Sequence, residues 1–173
     1  MFTLACLVML FFSCGQQPGN TTKVPNTQVP NLQQYIVSMQ NRYTGWNTSR
    51  VSRKAFSDSL CKNFYKDITD SSLLVGVLFK LLKVEPQKTG GILGEFWCDY
   101  MYMKESIATI LVVHANCSDA LALSLSSGTA YYFKSFSILN YKSYQSAYIS
   151  GNGMDKCDLG PLTIELKDIQ KAP

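Results

Sequence analysis

The feature that most constrains the fold is a change of hydrophobic period at Gly90-Gly91. Before this point apolar residues recur at helical spacing in two segments, one capped by Asn31 and one from about Ser52 to Lys66. Their stripes consist of Leu32, Tyr35, Ile36, Met39 and Tyr43 in the first segment and of Phe56, Leu60 and Phe64 in the second. After Gly91 the apolar residues alternate with polar ones, which is typical of strands. Helices followed by strands predict an α+β fold.

The second half of the chain reads as strands connected by short polar turns. Its segments are ILGEFWCDYMYM, SIATILVVHAN, ALALSLS, TAYYFKSFSILNY, KSYQSAYIS and PLTIELKDI. Strands that follow one another directly favour an antiparallel meander, here of about five or six strands. We therefore expect two or three N-terminal helices packed on a C-terminal antiparallel meander. Residues 71–84 are apolar almost all round, so they fit either a buried helix or a central strand.

The amino terminus carries an export signal. The apolar run from Leu4 to Phe12 is too short to span a bilayer, which takes about 20 residues. It is typical of a signal peptide whose small residues Ser13 and Gly15 place cleavage before Gln16. The alternative is that Cys14 is lipidated and anchors a bacterial surface protein. The predicted organisation is a signal peptide at 1–15, a flexible segment rich in Pro, Asn and Thr at 16–30, and a single α+β domain at 31–173.

The cysteines are interpreted from the predicted secretion. Cys61, Cys98, Cys117 and Cys157 remain in the mature chain, and an even number in an exported protein predicts two disulfides. Three connectivities are open. Because none of these cysteines shows the C-x₂₋₄-C spacing of a structural zinc site, no metal and no other cofactor is predicted.

Three N-x-[ST] sequons add glycosylation to this hypothesis. They lie at Asn20, Asn47 and Asn116. Together with the leader they favour an extracellular glycoprotein with no stable membrane span.

Charge and catalytic motifs exclude several functions. The 16 Lys and Arg residues behind the net charge of +4 are scattered, and no nucleic-acid-binding motif accompanies them, so a nucleic-acid partner is not expected. His114 is the one histidine and no G-x-S-x-G motif is present, so triad chemistry has little support. A hydrolase that uses carboxylates such as Glu95 and Asp99 stays as the alternative. On this inventory no catalytic residue is assigned.

Aromatic residues concentrate in the β half and suggest binding. Rings that alternate along a sheet can line an apolar cavity or a recognition surface. The candidate ligand-binding residues are Tyr100, Tyr102, Tyr131, Tyr132 and Phe136. Adjacent strand residues face opposite sides, so Tyr131 and Tyr132 should diverge. The sequence thus predicts a secreted binding module for an apolar small ligand or another extracellular protein, and it leaves the oligomeric state open.

Overall fold

The computed structural model describes residues 31–88, 90–101, 107–142, 146–150 and 155–173. For residues 99–101 and 107 the backbone alone is described. The predicted signal peptide, the lipidation at Cys14 and the sequon at Asn20 lie outside the described residues. The helices are α1 (Asn31–Arg42), α2 (Arg50–Asp67) and α3 (Asp119–Leu123), with a 3₁₀ turn at Ser71–Leu74. The strands are β1 (Leu78–Pro86), β2 (Ile92–Met101), β3 (Ile107–Cys117), β4 (Ala130–Tyr141), β5 (Tyr148–Ile149) and β6 (Asp155–Lys171).

The first two helices confirm the helical spacing in the sequence. Helix α1 buries Leu32, Ile36 and Met39 on one face. Helix α2 begins with a capping box, in which the Ser49 hydroxyl accepts from the Ser52 backbone N–H and the Ser52 hydroxyl accepts from the Ser49 N–H. This arrangement satisfies donors that the first turn of a helix leaves unpaired. Helix α2 therefore starts two residues before the predicted segment.

The segment at 71–84 turns out to be divided. Asp70 accepts from the Ser72 backbone N–H and caps the 3₁₀ turn. Gly76 then adopts a φ of 75°, which favours glycine and lets the chain turn into β1. Of the two readings left open, the strand is the correct one for the residues after this turn.

The sheet closes on itself. Strands β1, β2 and β3 form the expected antiparallel meander, and β4 pairs with β1, which gives the Greek-key order β4-β1-β2-β3. Strand β6 then lies between β3 and β4, parallel to the first and antiparallel to the second. Five strands thus form a ring, and β5 adds a short pairing on β6. The α+β class and a sheet of six strands, paired antiparallel except for β3 with β6, are confirmed. The order is not that of a simple meander, because β6 lies between β3 and β4.

One predicted strand is a helix. ALALSLS alternates in sequence, yet Asp119–Leu123 forms the single turn α3, capped by the Ser118 hydroxyl, which accepts from the Leu121 N–H. Leu123 is 89% exposed, so the alternation does not correspond to a buried sheet face. The helix cap at Ser118 therefore determines the local structure, because the alternating leucines have no core to pack against.

Aromatic rings fill the barrel interior. Phe79 stacks on Phe133 at 4.3 Å, and Phe96 meets the same ring edge-on at 5.1 Å. Tyr131 packs against Phe96 and accepts from the Ser126 N–H through its hydroxyl. Gly94 makes room for this cluster, because a Cβ there would lie 2.9 Å from the Phe96 ring. Helix α2 packs on the inner side of the sheet, where Phe64 lies edge-on against Tyr141 of β4 at 5.5 Å and Tyr141 pairs with the fully buried Leu162.

Candidate functional site

A row of polar side chains crosses the outside of the barrel. Glu95 on β2 pairs with His114 on β3, and His114 pairs with Thr163 on β6. Val113 and Ala115, the neighbours of His114, are fully buried inside the barrel. Because successive strand residues face opposite sides, the row points outward.

A second row lies one step nearer the β1–β2 turn. It joins Leu93, Asn116 and Glu165. The turn itself brings Gln87 over this row, and the Gln87 Nε2 donates to the Asn116 Oδ1 at 2.9 Å. The two amides fix each other's position, so hydrogen-bonding groups are held in place before any ligand arrives.

Charged side chains lie close together at this surface. Lys83 Nζ lies 3.2 Å from a Glu85 carboxylate oxygen and 3.6 Å from one of Glu95. Glu85, through a hydrogen bond and its charge, and then Glu95 raise the pKa of Lys83 above its usual value. The His114 Nε2 is 3.8 Å from the Glu95 Oε2. Lys83 is therefore shared between two carboxylates.

Two shallow pockets adjoin on this outer surface and share Asn116. The first has a volume of about 470 Å³ and the second about 480 Å³, both within the usual range for ligand sites. We call them together the outer-face groove. Its lining consists of Glu85, Pro86, Gln87, Lys88, Leu93, His114, Asn116 and Thr163 in the first pocket, and of Asn116, Cys117, Ser118, Glu165, Leu166 and Lys167 in the second.

The predicted aromatic site residues are not gathered in this groove. Tyr131 is 3% exposed and belongs to the barrel core, whereas Tyr132, which faces the other way, is half-buried. Phe136 is half-buried against Phe133 at a ring distance of 5.9 Å. The side chain of Tyr100 and all of Tyr102 lie outside the described residues. As binding residues these five remain a prediction.

The four cysteines require a correction, because no two of them lie at disulfide distance and all four are buried thiols. Cys98 pairs with Leu111, and Cys117 lies six residues further along β3, which is about 20 Å at roughly 3.3 Å per residue. Cys61 on α2 and Cys157 on β6 are nearer each other but unbonded. The two predicted disulfides are thus not supported, since an even cysteine count carries no information about distance.

The two described sequons differ in their surroundings. Asn47 is exposed in the turn before α2, and its backbone carbonyl accepts from Arg53. Asn116 is half-buried in the groove and its amide is bonded to Gln87. Asn47 is therefore more accessible to a glycosylating enzyme than Asn116.

The described ranges contain neither a metal-binding cluster nor a membrane-spanning helix. There, no group of three or more His, Cys, Asp or Glu side chains is placed to hold a metal ion. Across the same ranges, every helix falls short of the length and apolarity that crossing a bilayer requires. Of the proposed carboxylate pair, Glu95 lies in the outer row, while the side chain of Asp99 is not described.

Comparison with protein-family models, curated proteins and solved structures gave no match. The site therefore has to be interpreted from its own chemistry.

Sequence reasoning missed Gln87, Thr163 and the balanced charges around them. A partial signal was present, because His114 and Asn116 alternate with the apolar residues of VVHAN and so predict one polar stripe. The other residues of this stripe come from β1, the β1–β2 turn and β6. They lie together only because of how these strands pair in the sheet.

Proposed function

We propose that this chain is an extracellular binding module whose ligand lies in the outer-face groove. The observation that carries the proposal is the pair of adjoining pockets centred on Asn116. The aromatic packing inside the barrel supports recognition at the surface over an internal apolar site, because Phe79, Phe96 and Phe133 already occupy that space.

The chemistry of the groove favours an uncharged polar ligand. Apart from His114, each pocket has one acidic and one basic side chain: Glu85 with Lys88 in the first, and Glu165 with Lys167 in the second. Polyanion sites concentrate positive charge instead. Amides and hydroxyls supply the remaining polar groups of the lining, and these bind neutral hydroxyl-rich molecules well.

The architecture narrows the class further. Within the described residues each strand of the five-stranded ring has a partner on both sides for at least part of its length. In five-stranded Greek-key barrels the face of strands 2 and 3 with the adjoining loops is a common site for oligonucleotides and oligosaccharides. The balanced charge favours the second of these. We therefore propose a neutral oligosaccharide as the ligand.

Titration calorimetry with the purified chain tests this proposal. The probes are neutral gluco-, malto- and chito-oligosaccharides, with a heparin fragment as the anionic comparison. We expect binding of a neutral oligosaccharide that falls at least about tenfold in Gln87→Ala or Asn116→Ala, since a buried partner left unsatisfied costs roughly 1–3 kcal/mol. Gln170→Ala is the matched control, because Gln170 is exposed at the far end of β6.

Other outcomes would overturn the ligand class. Tighter binding of heparin than of any neutral probe would replace it with a polyanion. If no saccharide binds and an extracellular protein loses its affinity in Trp97→Ala, the partner is a protein recognised through Trp97, Val112 and Pro161, the half-buried row beside the groove.

The proposal also distinguishes the two described sequons. A glycan attached to Asn116 would occupy the groove, so we expect Asn116 to be unmodified and Asn47 to carry the glycan. Peptide mapping of the natural protein after glycosidase treatment in heavy-oxygen water checks both sites. Occupancy at Asn116 would contradict the groove as a ligand site.

Extracellular location is a proposal that the mature amino terminus tests. Pyroglutamate at Gln16 in the mass spectrum is the expected result for a cleaved secreted chain. Diacylglycerol on Cys14 would make the protein a lipid-anchored surface protein instead.

A further inference from the structure

Two buried thiols face the same interface between α2 and β6. Cys61 is 2% exposed and Cys157 is 0% exposed. The Cys61 thiol donates to the Leu159 carbonyl of β6 at 3.6 Å, and the Cys157 thiol donates to the Ser57 carbonyl of α2 at 3.8 Å. Each sulfur thus contacts the backbone of the other's element.

A short segment, residues 146–150, covers Cys157, and we call it the strap. Within it Tyr148 pairs directly with Cys157, and Ile149 pairs with Lys156. The Ala147 carbonyl accepts from the Asp158 N–H at 2.7 Å, and Ala147 is fully buried. The strap is therefore held on β6 beside Cys157 by a pairing two residues long.

The Asp58 carboxylate attaches the strap to α2, and Tyr148 of the strap also lies beside Arg53 of that helix. The Asp58 Oδ1 accepts from the Ser146 hydroxyl at 3.2 Å and from the Ala147 N–H at 3.1 Å. Its Oδ2 lies 2.6 Å from the Lys54 Nζ. The Asp58 side chain is 32% exposed, so water competes for these bonds.

The packing beside the strap includes a buried hydroxyl. The Ser57 side chain lies next to the Cys157 thiol and is fully buried. Cys98 and Cys117 lie in strands of the closed ring, where the strap does not cover them.

We propose that the strap is a clasp held by Asp58, and that the Cys61–Cys157 pair beneath it is a site of reversible oxidation. When the strap lifts, the Cys157 thiolate attacks a small-molecule disulfide such as oxidised glutathione. A mixed disulfide forms and one glutathione leaves as a thiol after taking up a proton. Cys61 then attacks the Cys157 sulfur and releases the second glutathione. Two protein thiols are oxidised, one glutathione disulfide is reduced, and α2 becomes covalently joined to β6.

Burial keeps the pair inactive while the strap is closed. It raises the pKa of Cys157 to about 12, so almost no thiolate, the reactive form, is present at neutral pH. The structure with its unbonded thiols is the reduced, closed form of this pair.

Alkylation kinetics of the full chain test the clasp. In Asp58→Ala we expect iodoacetamide to modify Cys61 and Cys157 about tenfold faster, as loss of hydrogen bonds to a charged group implies, with Cys98 and Cys117 unchanged. Asp67→Ala is the matched control, because Asp67 is an exposed carboxylate of the same helix that accepts from Tyr35 and lies away from the strap. Equal acceleration of all four cysteines, or none at Cys157, would overturn the clasp.

Two further readouts keep the proposal testable if Asp58→Ala does not fold. In the wild type, the Ala147 and Asp158 amides should exchange with heavy water before those of Leu162 and Ile164. After oxidised glutathione, peptide mapping should show a Cys61–Cys157 disulfide, and Cys61→Ser should stop at the mixed disulfide. Slow exchange at Ala147, or a disulfide that includes Cys98 or Cys117, would contradict the proposal.

Discussion

Successive residues of β2 and β3 point alternately to the inner and the outer face of the barrel, and the two faces differ in burial and polarity. On the inner face Phe96, Val113 and Ala115 are fully buried and pack with the rings of β1 and β4. On the outer face Glu95, His114 and Asn116 are half-buried and carry hydrogen bonds or charge. Alternate residues of one strand thus belong to the core and to the proposed binding surface, so substitutions at neighbouring positions should separate the effects on stability from those on binding.

The largest expected effect comes from the neighbours Phe96 and Trp97. Phe96→Ala should lower the free energy of unfolding by about 3–5 kcal/mol, because it leaves a cavity among packed rings. Trp97→Ala, on the outer face, should lower it by only about 1 kcal/mol. Urea denaturation of both variants measures the contrast. Equal losses would show that the two faces do not differ in this way.

Gly94 on the inner face and Glu95 on the outer face allow a second comparison of the two faces. Gly94→Ala should destabilise by about 1–3 kcal/mol, because the new Cβ would lie 2.9 Å from the Phe96 ring. Glu95→Ala removes outer ion pairs and should change the free energy of unfolding by less than about 1 kcal/mol. Thermal unfolding of the pair checks this. A neutral Gly94→Ala would mean that the core beside it is loosely packed.

Asp158 is an intermediate case between the two faces, because its carboxylate lies on the outer side of β6 but is not fully hydrated. Burial raises its pKa, although its Oδ1 accepts from the Gly160 N–H. The folded state then holds the proton more tightly than the unfolded state, so stability falls as pH rises through the folded pKa. Asp158→Asn keeps the acceptor and should be more stable at pH 7, by about 0.5 kcal/mol or less.

The pH series contains its own control. At pH values below both pKa values of Asp158 the wild type and Asp158→Asn should unfold at the same denaturant concentration. A variant that is less stable at neutral pH would show that the ionised carboxylate contributes favourably where it lies.

The sequence could predict the elements but not their partners. Helical spacing located α1 and α2, and alternation located most strands, because both periods are local. The parallel pairing of β6 with β3 joins residues such as His114 and Thr163, about 50 positions apart in the chain, and no local period records it. The groove and the thiol positions depend on that pairing, so they appear only in three dimensions.

The position of β6 between β3 and β4 has a consequence for biosynthesis. Strands β1 to β4 can pair as soon as they leave the ribosome, but both neighbours of β6 must wait with one side unpaired until residues 155–171 follow. Exposed edges of that kind attract other chains. An exported chain would pass through this open intermediate during translocation, so folding chaperones should matter most before the final strand arrives.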